Sequence, residues 1–247
     1  MIQSNGSMNK RGIVSIIIFF LVVGVVSLFL WRTLSFYKKI QDGTLKPADL
    51  SFSSHLTTSN FAKAVATQTT GTVDVVSVDD PTLGSKDATL TIVEFADFGC
   101  PYSKEVSDVV RRLAVLYGSN VRFIYRDFPL VDLHPDAEIA AEAGACANDQ
   151  HQFWSYHDKL FQHQDDLSVG ALRTYAEQVG LNMNEYDECM RSQLFGKEVA
   201  NDLADGLQAG VIGTPTFFFN GTKIEGAIPE DIFDSVIQAF LTPKTSS

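Results

Sequence analysis

The sequence predicts an α/β domain, a single sheet interrupted by an all-helical insertion, carried behind one N-terminal transmembrane helix. Three observations predict it. The run IVSIIIFFLVVGVVSLFLW, Ile13 to Trp31, is uncharged and, at about 1.5 Å per residue, long enough to cross a hydrocarbon core. Farther on, the apolar pattern TLTIVEFADF leads into a helical stripe and then a second strand, VRFIYRDF. That is the βαβ order of parallel strands joined by a right-handed crossover. Between the second strand and a closing hairpin lie several helical segments in succession.

Taken in order, the chain divides at residues 12, 31 and 72. Residues 13–31 read as an uncleaved signal anchor. A cleaved secretory signal would have a shorter apolar region ending in small residues, whereas this run ends in WRTLSFYKK. Lys10 and Arg11 precede the span and Arg32, Lys38 and Lys39 follow it, so the flanking charges do not settle its orientation. Residues 32–72 are rich in Ser and Thr with little apolar periodicity, the composition of a flexible stalk. Residues 73–247 form the globular domain, with the helical insertion at about 133–195.

Charge follows the same division. The whole chain carries −11, but the first 73 residues hold 7 basic and 2 acidic side chains, and the remainder holds 12 and 28. An acidic domain behind a basic, membrane-proximal segment argues against nucleic-acid binding. Three cysteines in 247 residues exclude a disulfide-dense mini-protein, so a hydrophobic core must drive folding.

Within the domain, TVDVVSV alternates like a strand and DDPTLGSKDA is turn material. TLTIVEFADF suits a central strand buried on both faces. Glu105–Tyr117 places Val106, Val109, Val110, Leu113 and Leu116 on a helical stripe. His134-Pro135 opens a helix with proline at the first helical position. HQFWSYHDKLFQHQ, SVGALRTYAEQVG and MNEYDECMRSQLF follow, the second ending on a glycine stop. Lys197–Ala209 is one more helix. VIGTPTFFFNGTKIEG then reads as two strands joined by Asn220-Gly221, a strong hairpin signal. The last helix, PEDIFDSVIQAFL, has proline near its start and acids in its first turn.

The chemistry-bearing stretch is DFGCPYSK, Asp97 to Lys104, at the strand-to-helix junction. Thiolate rather than thiol is the nucleophile, and a free cysteine ionises near pH ~8.5. Exposed N–H groups and the macrodipole at a helix N-terminus favour the anion, and Pro101 suits the first turn because its missing N–H would have been an orphan donor. Cys100 is therefore either a reactive thiol or an inert core cysteine, and this context favours the first. Pro215 follows Thr214 directly before the strand FFF. A proline there is ordinary at a strand start, while a cis bond would turn the Thr214 backbone outward to pair with an extended peptide. His151, His157 and His163 share one helical region, but neither CxxC nor HExxH spacing occurs, so no metal is expected. No glycine-rich phosphate loop or hydrolase triad points to a cofactor, and none is expected.

The combination VEFADFGCPYSKE, VRFIYRDFPL, HPDAEIAAEAGACANDQHQFWSYHDKLF and AGVIGTPTFFFNG resembles the DsbA-like thioredoxin-fold family of extracytoplasmic thiol–disulfide oxidoreductases, over roughly residues 79–241. The resemblance implies a thioredoxin fold with an inserted helical subdomain. It implies Cys100 as attacking nucleophile, Pro215 as a cis-proline facing it beside Thr214, and Glu94 as a buried acid beneath the site. From the residues alone, Glu94 could equally be solvated or ion-paired. Similar proteins often carry cysteines at positions matching Cys146 and Cys189, which implies a structural disulfide; two separate buried thiols are the alternative. The resemblance also implies that the domain lies outside the cytoplasm and residues 1–12 inside.

The departure from the family is Ser103, where the dithiol pattern has its second cysteine. Serine cannot form the disulfide; it can only donate a hydrogen bond toward the sulfur of Cys100. Tyr102 also stands where the strongest oxidants of the group have histidine, which implies weaker oxidising character. What survives is the first half of exchange, attack on a disulfide to give a mixed disulfide. Three readings follow: a membrane-anchored monothiol enzyme acting on protein or low-molecular-weight disulfides as isomerase, reductase or deglutathionylating catalyst; a non-catalytic peptide-binding module or chaperone; and an oxidase that borrows a resolving cysteine from a partner.

Overall fold

The computed structural model describes Lys38, residues 75–76 and residues 80–242. The apolar run Ile13–Trp31 and, Lys38 apart, the stalk lie outside the described residues. Among the described residues no helix is long and apolar enough to cross a membrane.

The described strands are β1 (Thr82–Gly84), β2 (Leu90–Ala96), β3 (Val121–Asp127), β4 (Thr216–Phe219) and β5 (Thr222–Glu225), in the sheet order β1-β3-β2-β4-β5. The parallel pair is β2 with β3, and the remaining pairs are antiparallel. The crossover between β2 and β3 is α1 (Pro101–Tyr117). The insertion holds α2 (Ala137–Asp149), α3 (Phe153–Gln162), α4 (Val169–Gln178) and α5 (Met183–Ser192). Then come α6 (Gly196–Gln208), the β4–β5 hairpin and α7 (Glu230–Leu241). In the hairpin, Asn220 and Gly221 both take positive φ (45° and 81°), the backbone that an Asn-Gly pair supplies at least cost.

Alternation along β2 explains why its sequence is almost wholly apolar. Leu90 and Ile92 join Val121, Phe123, Phe217 and Phe219 under α1 and α7. Val93 and Phe95 face the other way, with Ile124, Phe128 and Phe218, toward the α6 side. Buried on both faces, such a strand has no solvent face to keep polar. Each fully buried phenylalanine of the TFFF strand contributes roughly 1.5–3 kcal/mol. A separate core forms where the sheet meets the insertion: Phe98 and Tyr125 pack with Ala140, Ala143, Phe153 and Leu160.

The structure differs from the sequence reading at three places. The first described strand is Thr82–Gly84, inside the stretch read as turn, while Val75 and Val76 are not in a strand and the rest of TVDVVSV lies outside the described residues. The short edge strand exists because β3 offers it partners (Thr82 opposite Ile124), and Gly84 (φ +90°) allows the approach, since a Cβ there would stand 2.1 Å from the Val121 carbonyl oxygen. The second difference is that α2 begins at Ala137, not at Pro135. His134 and Pro135 form a turn in which the Ala137 N–H donates to the His134 carbonyl, leaving the imidazole free to turn toward β2. The third is Leu116, 68% exposed: the buried face of α1 runs through Ser103, Val106, Val110 and Leu113 and continues to the half-buried Ala114 and Tyr117, leaving Leu116 off that face.

Candidate active site

Strand β2 delivers its C-terminal end to the N-terminus of α1, and Cys100 is the N-cap residue with extended backbone (φ −80°, ψ 121°). It is the free cysteine among the described residues, and it is buried, 4% exposed. Its Sγ donates to the Thr214 carbonyl oxygen at 3.2 Å. The Thr214–Pro215 peptide is cis, and both residues are buried. The hairpin holds this loop from behind: the Gly226 N–H donates to the Pro215 carbonyl, and Thr216 Oγ1 donates to the Gly213 carbonyl. The Thr214 hydroxyl is buried without a hydrogen-bond partner.

Ser103 sits in the first turn of α1 and has no exposure. The bond it makes is with the chain behind it: the Asp97 N–H donates to Ser103 Oγ at 3.4 Å. The expected hydrogen bond toward the Cys100 sulfur is not formed, because that sulfur is directed at Thr214. Glu94 lies in β2 between Tyr125 of β3 and Phe217 of β4, fully buried. Burial alone pushes its carboxyl up to about 8, so at neutral pH it holds a proton. Cys146 and Cys189 are elsewhere, joining α2 to α5 in a disulfide with α-carbons 6.0 Å apart. Cys100, Ser103, Thr214 and Pro215 thus converge on one end of the sheet, and the cysteine pair does not.

Sequence reasoning missed the residues that shape the turn. Asp97, 2% exposed, is its hub. Its carbonyl accepts from the Cys100 N–H at 3.0 Å and its Oδ1 from the Gly99 N–H at 2.6 Å. Its Oδ2 accepts from the Leu130 N–H at 2.9 Å and lies 2.7 Å from His134 Nδ1. From the insertion, Gln164 Nε2 donates to the carbonyls of Phe98 and Cys100 at 2.7 and 2.8 Å. Gly99 is obligatory, since a Cβ there would meet the His134 Cβ at 2.5 Å. An Asp two residues before a Gly is a local turn signal that could have marked Asp97. Nothing local marks His134 or Gln164, which arrive from 37 and 64 positions away from their partners Asp97 and Cys100.

A cavity of about 260 Å³ opens beside Gly99, lined by Leu133, His134, Gln164, Asp165, Asp166 and neighbours. A larger groove, about 490 Å³, lies between β1 and α1 and includes none of the residues around the thiol. The smaller one reaches the active turn at Gly99, one residue before Cys100, while the Cys100 sulfur itself is directed at the Thr214 carbonyl.

The chain belongs to the thioredoxin family, whose model, described as Thioredoxin, matches residues 76–239. Its fold is the DsbA-like form with inserted helices. A thioredoxin-like oxidoreductase from Silicibacter pomeroyi DSS-3 superimposes with a TM-score of 0.60 at 26% identity, covering 68% of this chain and 95% of that one. The thiol–disulfide exchange protein alpha-DsbA2 from Wolbachia pipientis gives 0.61 at 17%, over 76% and 98%. A periplasmic thioredoxin-like protein from Salmonella enterica serovar Typhimurium gives 0.55 at 22%, over 74% and 98%. Among curated proteins, the Na(+)/H(+) antiporter NhaA 3 of Salinispora tropica is 37% identical over 188 residues, which is 74% of this chain and 29% of that protein. The chain thus spans less than a third of the length of that relative.

Proposed function

We propose that this protein is a membrane-anchored, extracytoplasmic thiol–disulfide exchange enzyme in which Cys100 acts alone on protein or low-molecular-weight disulfides. The observation that carries the reading is a free cysteine capping α1, 3.2 Å from the Thr214 carbonyl, with serine in place of a resolving cysteine. The Cys100 thiolate attacks one sulfur of a disulfide R–S–S–R′. The Cys100–S–S–R bond forms, the substrate S–S bond breaks, and its electron pair leaves on R′–S⁻. With no second thiol in the turn, a substrate or small thiol must release Cys100, so the enzyme isomerises, reduces or deglutathionylates and does not donate disulfides.

Polypeptide substrates are favoured by exposed apolar side chains: Tyr102 (62%) and Ile212 (83%), each two residues along the chain from Cys100 or Thr214, and Leu133 (71%), which lines the cavity beside Gly99. The same side chains favour the second reading, a peptide-binding module without catalysis. Trapping separates the two. Cells are quenched in acid, free thiols are blocked, and partners linked to Cys100 are identified by mass spectrometry. Mixed disulfides that vanish in Cys100→Ala are expected. A Cys100 recovered wholly as free thiol, and inert to alkylating reagents in the native protein, would leave only the binding module.

A further inference from the structure

Beside Gly99, one residue from the nucleophile, the imidazole of His134 is gripped on one side and open on the other. On the gripped side, Asp97 Oδ2 stands 2.7 Å from Nδ1, and that carboxylate is itself held by the N–H groups of Gly99 and Leu130. A carboxylate only accepts, so Nδ1 carries the proton of this bond and Nε2 is the nitrogen left for other work. Nε2 has no hydrogen-bond partner among the described residues. The side chain is 21% exposed, while the Asp97 side chain is wholly buried. The ring lines the cavity of about 260 Å³, together with Gly99, Leu133, Gln164 and the carboxyl-bearing residues Asp136, Asp165 and Asp166, the other titratable groups that face it.

A buried acid that fixes the orientation of an imidazole, on a ring that lines a cavity reaching the residue before the nucleophile, is the arrangement of an acid–base catalyst. Exchange has a proton to place. When Cys100 attacks, the departing R′–S⁻ is a strong base if R′ is alkyl, and returns to re-form the starting disulfide unless it is protonated.

We propose that His134 is the general acid of the exchange step and Asp97 its positioning residue, an inference that rests on Cys100 being the nucleophile. The leaving half of the substrate occupies the cavity beside Gly99. Nε2–H gives its proton to the leaving sulfur as the S–S bond breaks, yielding R′–SH, the Cys100–S–S–R mixed disulfide and a neutral imidazole that regains its proton from solvent. No external oxidant or reductant enters the step. Asp97 keeps the ring in register with the turn, because the same side chain holds the Gly99 N–H and the same residue's carbonyl holds the Cys100 N–H.

Leaving-group dependence tests this on the full-length protein. Formation of the mixed disulfide is timed with two neutral probes: bis(hydroxyethyl) disulfide, whose alkylthiolate needs a proton, and dithiodipyridine, whose stabilised leaving group does not. His134→Gln, which keeps a donor for Asp97, is expected to slow the alkyl disulfide by about 10²-fold, the low end of general-acid effects, and to change the aromatic one by no more than about twofold. Asp97→Asn should shift the two rates in the same unequal sense. Added imidazole should restore part of the alkyl rate in His134→Ala. Equal slowing with both probes would make His134 a packing residue only and overturn the proposal, as would an unaltered alkyl rate. A wild-type protein inert to both probes would instead sink the nucleophile reading itself, and this inference with it.

Discussion

Glu94 and His157 are both buried and have opposite consequences for stability. Burial pushes Glu94 up to about 8 from its ordinary 4.5, so the folded state binds a proton that the unfolded state has already lost. The associated stability is complete below about pH 4.5 and is lost as pH rises through about 8, a difference on the order of a few kcal/mol. His157 lies among Phe98, Tyr125, Phe153 and Phe161, and burial lowers its affinity for protons. There the unfolded state takes the proton first, so stability falls as pH drops below the ordinary histidine value of 6.5. We expect Glu94→Gln to remove the alkaline decline, read from urea midpoints between pH 5 and pH 9; a variant whose midpoint falls as steeply as wild type would mean that Glu94 is not the group responsible. At position 103 the expectation is chemical. Ser103→Cys puts a thiol in the first turn of α1, three residues after the nucleophile. The variant should form a disulfide between positions 100 and 103 and show oxidase activity on a reduced model protein. If peptide mapping finds that bridge and no oxidase activity appears, the groove beside it does not admit folding substrates.

The elements of the insertion depend on ties that the sheet does not provide. Helices α2 to α5 share a core built around Phe98, Tyr156, Leu160 and Tyr186, and the Cys146–Cys189 disulfide closes a loop of 43 positions between α2 and α5. Chain entropy assigns closure of such a loop roughly 4 kcal/mol. The paired change Cys146→Ser with Cys189→Ser should therefore lower the unfolding free energy by roughly 2–4 kcal/mol in denaturant titration, with the larger loss in probes that report the insertion. Equal stability of wild type and double variant would show that the helical core holds itself. Because Gln164 and His134 reach the active turn from this same subdomain, the loosened variant should also lose exchange rate at Cys100.

At the level of the complete chain, the acidic domain follows a basic, apolar N-terminal segment. Arg126, 3% exposed on β3, anchors the front of the domain. It pairs with Asp80, Asp202 and Asp205 and donates to the Val75 carbonyl at 3.3 Å, so the chain just before β1 is bound to α6. If the run Ile13–Trp31 is the anchor we propose, the full-length protein should sediment with membranes and require detergent for release, while a chain beginning at residue 73 stays in the supernatant. Full-length protein that salt or alkaline carbonate strips from the membrane would contradict a spanning helix.

Most elements of the fold were legible because their signals are local. A helical stripe repeats within four residues, Asn-Gly sets its own turn, and the βαβ order limits the handedness of the crossover. Cys100 was legible for the same reason, through its place between a strand and a helix. Three things were not. The short strand β1 exists only because β3 pairs with it, and three residues carry no periodicity. The shift of Glu94 comes from being enclosed between Tyr125 and Phe217, distant in sequence. The Asp97–His134–Gln164 frame joins three separate non-helical segments whose residues show no pattern in common. By itself the sequence determined which segments form elements and which sulfur stands as the candidate nucleophile. Only the tertiary structure decided what surrounds that sulfur, because contacts across dozens of residues arise from packing and leave no trace in local order.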